Sequence, residues 1–142
     1  MSTVASNNPM AAHPVRVLAI SNQKGGVGKT TTAINLGTAL AAAGERVLIL
    51  DLDPQGNAST GVGVGPEARP LTMFDVLTRQ ASVLQATVHT NVPNLSIVPA
   101  NSDLVSLESD LMSDAGRPYK LRDALAELMA EQSRVLDGRP FN

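Results

Sequence analysis

The sequence predicts an α/β fold in which helices flank a parallel sheet. Three largely aliphatic runs, at residues 15–20, 47–50 and 95–98, have the length and composition of buried strands. Segments with helical spacing of apolar residues lie between and after these runs. A glycine-rich turn joins the first run directly to the first helical segment. Strands that alternate with helices in this way are typical of a parallel sheet with helices on its faces.

Length and composition place limits on the protein class. The 142 residues suit one domain, which we place at residues 15–142, after a polar tail at residues 1–14 that we expect to be disordered. The formal net charge of −2, with no run of Lys and Arg, gives no general attraction to nucleic acid. The absence of cysteine excludes disulfides and thiolate metal sites and is compatible with the cytoplasm. No stretch approaches the roughly 20 apolar residues of a membrane helix, so we expect no membrane contact.

The first two elements are predicted at residues 15–21, a strand, and at residues 29–43, a helix. The strand assignment follows from the aliphatic run that precedes the glycine-rich turn. Within the helix, apolar side chains alternate with small residues, which permits close packing against a sheet. Gly44 follows the helix at the position where glycine commonly ends one.

The second strand is predicted at residues 47–51, where four consecutive aliphatic residues lie between Gly44 and a turn at Asp53 and Pro54. Residues 52–70 contain four glycines and are predicted to form a long loop. Such a loop is either a plain surface connection or a switch that responds to a bound nucleotide.

The remaining elements follow from caps and periodicity. Thr72 is predicted to cap a short helix at residues 73–78, followed by a second short helix at residues 83–86. The third strand is predicted at residues 95–99. Two further helices are predicted at residues 103–112 and 119–133. In the last helix, apolar side chains at helical spacing predict packing against the sheet: Leu121, Leu125, Leu128 and Met129.

The segment NQKGGVGKTTT, residues 22–32, carries the strongest chemical signal. Its glycines let the backbone turn tightly and aim successive N–H groups at an anion, and the helix that follows adds a partial positive charge. Lys29 can reach the terminal phosphates of a nucleotide, and the Thr30 hydroxyl can bind Mg²⁺. A chance glycine-rich turn with two solvated lysines is the alternative, which the strand–loop–helix context disfavours. We therefore predict a phosphate-binding loop.

This loop departs from the common G-x-x-x-x-G-K-[ST] pattern. Gln23 occupies the position of the first glycine, and a second lysine, Lys24, lies five residues before Lys29. An exposed lysine in a loop is common, so Lys24 alone is the weaker part of the signal.

Two carboxylates, Asp51 and Asp53, follow the second strand. Ligands of doubly wound sheets lie beyond the carboxyl ends of the strands, so both residues are predicted at the same edge as the phosphate-binding loop. A carboxylate there can bind the Mg²⁺ shell or orient an attacking water. The alternative is that both side chains only cap the turn. The loop one βα unit upstream favours the catalytic interpretation.

The segment KGGVGKTT, residues 24–31, resembles the deviant phosphate-binding loop of the ParA/MinD ATPase superfamily. The segment DLDPQGNAS, residues 51–59, resembles its ParA (Soj) branch in particular. Without cysteine the chain differs from the cluster-binding nitrogenase iron protein. Its last residues, 137–142, cannot form the membrane helix of MinD-like proteins.

The resemblance implies ATP and Mg²⁺ as ligands. The nucleotide would be bound by residues of the loop: Lys24, Gly25, Gly26, Val27, Gly28, Lys29, Thr30 and Thr31. Thr30 and Asp53 would hold the metal ion, and Thr31 would contact the α-phosphate. Lys29 would pair with the β- and γ-phosphates, Asp53 would position the hydrolytic water, and Lys24 would reach the partner's nucleotide across a dimer.

The resemblance also implies partners: a second ParA chain in a nucleotide-dependent dimer, a ParB-type protein that stimulates hydrolysis, and non-specific DNA. Members of the family help to segregate chromosomes or plasmids and associate with the nucleoid. The part of the family that carries the basic DNA-binding surface has no counterpart in this sequence.

The resemblance runs from residue 15 to residue 133. The family then continues into a hydrophobic Walker B strand that ends in aspartate, whereas this chain offers only Val135, Leu136 and Asp137. Without that neighbour, the first strand would present unpaired backbone groups and a bare apolar face. We therefore expect a truncated or frame-shifted ParA ATPase that retains phosphate binding, whereas the missing Walker B strand argues against ATP hydrolysis. The alternatives are a non-catalytic protein that pairs with a full-length ParA and modulates it, and a remnant without function.

Overall fold

The computed structural model describes residues 15–21, 28–111 and 119–132. Its helices are α1 (Lys29–Ala42), α2 (Asn57–Gly61), α3 (Met73–Leu77), α4 (Val83–Ala86), α5 (Asp103–Leu111) and α6 (Lys120–Gln132), with a 3₁₀ turn at Pro66–Ala68. Its strands are β1 (Val47–Leu50), β2 (Val88–His89) and β3 (Leu95–Val98). The predicted helices and the second and third predicted strands are confirmed to within one or two residues at each end.

The three strands form one sheet in the order β1-β3-β2. β1 and β3 are parallel, with Val47 opposite Leu95 and Leu50 opposite Val98. The two-residue strand β2 pairs antiparallel with β3 and was not predicted. The α/β class with a parallel strand pair is therefore confirmed, with an antiparallel edge added to it.

Successive side chains of a strand point to opposite faces of the sheet. Both faces carry apolar side chains here, and helices cover each of them. Val47 and Ile49 pack with residues of α1 and α2, while Leu48 and Leu50 pack with the cluster formed by α3, α4, α5 and α6. The core is aliphatic on both faces, as the scarcity of aromatic residues requires.

Helix α1 lies very close to the sheet at Gly37. A Cβ atom on Gly37 would be 3.2 Å from Cδ1 of Ile49 and 3.4 Å from Cδ1 of Leu95. Gly44, with φ +94°, follows the helix as predicted, and the chain then reverses into β1. Because α1 and β1 run in opposite directions across this short turn, α1 begins at the edge of the sheet where β1 ends.

Two predictions about local structure are wrong. Residues 15–21 form no strand, and Val17 and Leu18 are 59% and 64% exposed. A strand persists only through hydrogen bonds to a neighbour, and no strand in the described ranges pairs with this segment. Residues 52–70 are not a continuous loop, since they contain α2 and the 3₁₀ turn.

The remaining predictions concern the last helix and the two ends of the chain. Met129, predicted to pack on the sheet, is 38% exposed, whereas Leu128 beside it is buried. The predicted tail at residues 1–14 and the segment 135–137, with Asp137, lie outside the described residues. None of the helices described is long and apolar enough to cross a membrane.

Candidate functional site

The candidate site lies at the carboxyl edge of the parallel strand pair. β1 and β3 end side by side, and beyond them the Asp51 N–H still donates to the Val98 carbonyl at 3.1 Å. Helix α1 reaches the same edge, because a side chain on Gly61 of α2 would collide with Ile34 of α1. Ile34 is only about 7.5 Å along the helix axis from its first residue. The start of α1 and the segment after β1 therefore lie toward the same edge of the sheet.

The N-terminus of α1 is suited to an anion. Gly28 precedes the helix with φ +77°, no side chain within the described residues caps it, and its first turn contains no acidic residue. The first hydrogen bond inside the helix runs from Thr32 N to Gly28 O at 2.8 Å. The earlier N–H groups have no partner within a helix, and the helix dipole favours negative charge at this end.

Only part of the predicted phosphate-binding loop is described. Lys24, Gly25, Gly26 and Val27 lie outside the described residues, and their predicted roles stay predictions. Of the remaining positions, Gly28 precedes α1, and the helix then begins with three consecutive predicted ligands: Lys29, Thr30 and Thr31. Lys29 and Thr30 are half-buried and Thr31 is exposed.

The Asp51 carboxylate is buried and binds donors of the protein itself, so it is not placed to bind a nucleotide. It is only 4% exposed. Its Oδ1 accepts from the Asp53 N–H at 3.0 Å, and its Oδ2 accepts from the Ser59 N–H at 3.0 Å and the Ser59 hydroxyl at 2.7 Å. Both carboxylate oxygens are therefore engaged by donors of the chain. For Asp51 the turn-capping interpretation is the one that the contacts support.

Asp53 has the more accessible carboxylate. Its Oδ1 accepts from the Gln55 N–H and its Oδ2 from Asn57 Nδ2, each at 3.0 Å, and both bonds are solvent-exposed. These donors fix the direction of the side chain. Each carboxylate oxygen has a second lone pair, so Asp53 can also accept from a water or bind a cation. Asp53 can therefore cap the turn and still bind a water molecule or a cation.

The donor set at this edge fits Mg²⁺. This ion prefers oxygen ligands and usually keeps several waters, with one or two protein ligands and the phosphates completing its shell. The Thr30 hydroxyl and the Asp53 carboxylate are ligands of that kind. Among the described residues no group of three or more His, Cys, Asp or Glu side chains could hold a metal.

Arg69 is the residue at this edge that sequence reasoning missed. Its guanidinium donates to the carbonyl oxygens of Ala100, at 2.9 Å, and Val64, at 2.8 Å from Nη2, and to the Thr60 hydroxyl at 2.8 Å. It thus ties α2 and the residues after it to the end of β3. A single arginine in a segment rich in glycine and proline gives no pattern that would have indicated this.

Comparison with known proteins identifies the family. A family described as an AAA domain (AAA_31) matches residues 15–138. The chain is 60% identical over 121 residues to the chromosome partitioning protein ParA of Caulobacter vibrioides (strain NA1000 / CB15N), across 85% of this chain and 45% of that protein. The chain belongs to the ParA (Soj) family. It is also 44% identical over 110 residues to the sporulation initiation inhibitor protein Soj of Bacillus subtilis (strain 168), covering 78% of this chain and 44% of Soj.

Solved structures agree with the fold of this ParA-family chain. The crystal structure of cobyrinic acid a,c-diamide synthase from Mycobacterium smegmatis with bound ADP and magnesium superposes with a TM-score of 0.76 at 44% identity. The match covers 81% of this chain and 46% of that one. The chain therefore spans less than half the length of each of these three relatives.

Proposed function

We propose that this chain binds ATP with Mg²⁺ at the carboxyl edge of its sheet, as the phosphate-binding part of a ParA-type partitioning ATPase. The observation that carries the proposal is the uncapped N-terminus of α1 at the same edge as the Asp53 turn. Phosphate groups and the metal ion need these two features side by side. The bound ADP and magnesium in the Mycobacterium smegmatis structure support this assignment.

Each residue of the site would have a separate role in binding or hydrolysis. Main-chain N–H groups of residues 25–28 and of the first turn of α1 would line the phosphates. Lys29 would pair with the β- and γ-phosphates, while Thr30 would ligate Mg²⁺ and Thr31 would contact the α-phosphate. Asp53 would orient the attacking water. Catalysis in such sites is mostly positioning and charge stabilisation, so the rigidity of the Asp53 turn matters as much as its charge.

Hydrolysis would require a second ParA chain. Lys24 would reach the nucleotide of the partner and stabilise the charge of its transition state, as an arginine finger does in other phosphoryl-transfer enzymes. A ParB-like protein would stimulate the reaction, and non-specific DNA would serve the segregation of a chromosome or a plasmid. The relatives named for chromosome partitioning support this broader role.

A second candidate is a non-catalytic protein that pairs with a full-length ParA and modulates it. The exposed Val17 and Leu18 favour this alternative, because an extended apolar segment is suited to pairing with another chain. Co-purification of the chain with a full-length ParA, lost when Leu18 is changed to Lys, would support it.

Thermal unfolding with and without ATP and Mg²⁺ tests the principal proposal. A ligand that binds only the native state, at 100 times its Kd, stabilises it by about 2.7 kcal/mol, which for a chain of this size raises Tm by at least about 5 °C. Lys29→Ala should remove this shift. Lys120→Ala, which deletes a lysine of α6, is the matched control and should keep it. A folded wild-type chain that gains no stability and shows no heat of binding in calorimetry would contradict the proposal.

Lys24→Ala separates binding from hydrolysis when the release of phosphate is measured beside the thermal shift. Because the proposed contact of Lys24 is with the partner's nucleotide, this variant should keep the thermal shift and lose the release of phosphate. A variant that loses both would place Lys24 in the primary phosphate site.

A further inference from the structure

Arg69 makes the densest set of polar contacts at the candidate site, and nothing in the proposed chemistry uses it. Its three guanidinium nitrogens all donate. Nη1 bonds to the Ala100 carbonyl at 2.9 Å, Nε to the Val64 carbonyl at 3.1 Å, and Nη2 to Val64 O and Thr60 Oγ1, each at 2.8 Å. These partners are neutral, so the cation is stabilised by carbonyl and hydroxyl dipoles.

We propose that Arg69 is a positioning residue that holds the Asp53 turn in register with the end of β3. The consequence for hydrolysis rests on the proposed function; the positioning itself does not. Arg69 would act through the backbone, since no contact between its guanidinium and the Asp53 side chain is needed.

Gly56 transmits the contact from Arg69 to Asp53. Nη2 of Arg69 lies 3.4 Å from the Gly56 carbonyl, and the Gly56 N–H donates to the Asp53 carbonyl at 2.8 Å. The packing here is tight. A Cβ on Gly56 would collide with the Arg69 guanidinium and would lie 2.9 Å from the Ala100 oxygen. The turn therefore cannot shift toward β3 without displacing the guanidinium.

Ala100 holds the same segment from a second direction. Its carbonyl accepts from Arg69, and its N–H donates to the Ser59 hydroxyl at 3.2 Å. Ser59 is in turn bonded to Asp51, at the end of β1. Asp51, the first residue beyond β1, and Ala100, the second beyond β3, are thus both connected to α2, and α2 begins directly after the Asp53 turn. A change at the end of β3 would be passed to Asp53 through Arg69.

The guanidinium is needed for its shape. Its planar fork carries N–H groups in several directions and can hold four acceptors at once. A lysine at position 69 keeps the charge and can reach one or two of these acceptors. A glutamine removes the charge and most of the reach. The Asp53 turn should therefore be less rigid in Arg69→Lys than in the wild type, and less rigid again in Arg69→Gln.

The test compares Arg69→Lys and Arg69→Gln with the wild type, and uses Arg79→Gln as the matched control. Arg79 is exposed on the surface, where it lies 3.7 Å from Asp123. Amide hydrogen exchange without nucleotide is measured first. In Arg69→Gln the Gln55 and Gly56 amides, which bond to Asp53, should exchange faster, while amides of β1 and β3 keep their protection. Arg69→Lys should be intermediate, and Arg79→Gln should match the wild type.

The second measurement separates positioning from general destabilisation. If the wild type hydrolyses ATP, Arg69→Gln should lower kcat by about 10- to 100-fold, the effect expected for a misplacement of about 1 Å, with Kd for ATP–Mg²⁺ unchanged. Arg69→Lys should restore part of kcat.

Unchanged protection at Gln55 and Gly56 would overturn the inference, whatever the activity. Equal loosening of the whole sheet, or parallel losses in Kd and kcat, would also overturn it, because Arg69 would then be a general stabiliser. If the wild type binds no ATP, the proposed function fails, and the exchange experiment still decides the role of Arg69.

Discussion

Replacing Ser59 with alanine is the sharpest test of the polar network that supports the candidate site. Ser59 is completely buried, and its hydroxyl donates to Asp51 Oδ2 at 2.7 Å and accepts from the Ala100 N–H at 3.2 Å. Ser59→Ala removes one hydrogen bond to a charged group, which contributes about 1.5–3 kcal/mol, and leaves a buried N–H unsatisfied, at a cost of about 1–3 kcal/mol. Since Asp51 Oδ2 keeps the Ser59 N–H, we expect a net loss of about 2–4 kcal/mol in the free energy of unfolding.

Urea denaturation followed by far-ultraviolet circular dichroism measures this loss. Ser106→Ala is the control, because its hydroxyl donates to the Asp103 carbonyl at 2.7 Å on the exposed side of α5. We expect that variant to stay within about 0.5 kcal/mol of the wild type. A domain is stable by only about 5–15 kcal/mol, so the difference between the two variants is readily resolved. Equal stabilities of Ser59→Ala and Ser106→Ala would refute the assigned network.

Further predictions concern the local backbone at three positions, and the same denaturation experiment measures all of them. Gly44→Ala should cost about 1 kcal/mol, from its positive φ alone, because among the described residues no heavy atom beyond its chain neighbours lies within 4 Å of the added Cβ. Gly56→Ala should cost at least about 2 kcal/mol, because the added atom also lies 2.9 Å from the Ala100 oxygen; equal costs would disprove the close packing. Thr72→Val should lose about 1 kcal/mol with the cap on the Phe74 N–H, whereas Thr72→Ser should keep it; a Val variant as stable as the Ser variant would show that this cap contributes nothing.

The elements predicted well from the sequence are those whose signals are local. β1 is a run of four aliphatic residues, and α3 begins with a capping box in which Thr72 and Asp75 bond to each other's backbone. The end of α1 at Gly44 follows from the backbone conformation that only glycine adopts readily. Each of these signals lies within a few residues of the element that it specifies.

The elements missed depend on distant partners. α2, with the sequence NASTG, has no helical pattern and little helix propensity, and it is held by Ser59 bonding to Asp51 and Ala100. β2 has two residues and exists only as a partner of β3. The prediction for residues 15–21 is wrong for the opposite reason: the segment has strand propensity, but no strand in the described part of the chain offers it backbone hydrogen bonds.

At the candidate site, too, some features follow from local sequence signals and others depend on distant partners. The start of α1 and the position of Asp53 followed from the order of strand, loop and helix, and from the rule that ligands lie beyond the carboxyl ends of strands. The network of Arg69 could not be predicted, since it joins groups up to 31 residues apart in sequence. Backbone acceptors such as the Ala100 carbonyl also carry no residue-type signature.

Asp51 and Asp53 differ in environment because the sheet ends between them. The Asp51 N–H still bonds to Val98, so the backbone of Asp51 is fixed by the ladder and its buried carboxylate is committed to Ser59. Asp53 lies beyond the ladder, in a turn, and keeps an accessible carboxylate. Asp51 Oδ1 nevertheless accepts from the Asp53 N–H, so the buried carboxylate orients the backbone that presents the exposed one. Two identical side chains therefore differ in availability: the carboxylate of Asp51 is held inside the fold, and that of Asp53 stays exposed at the edge of the sheet.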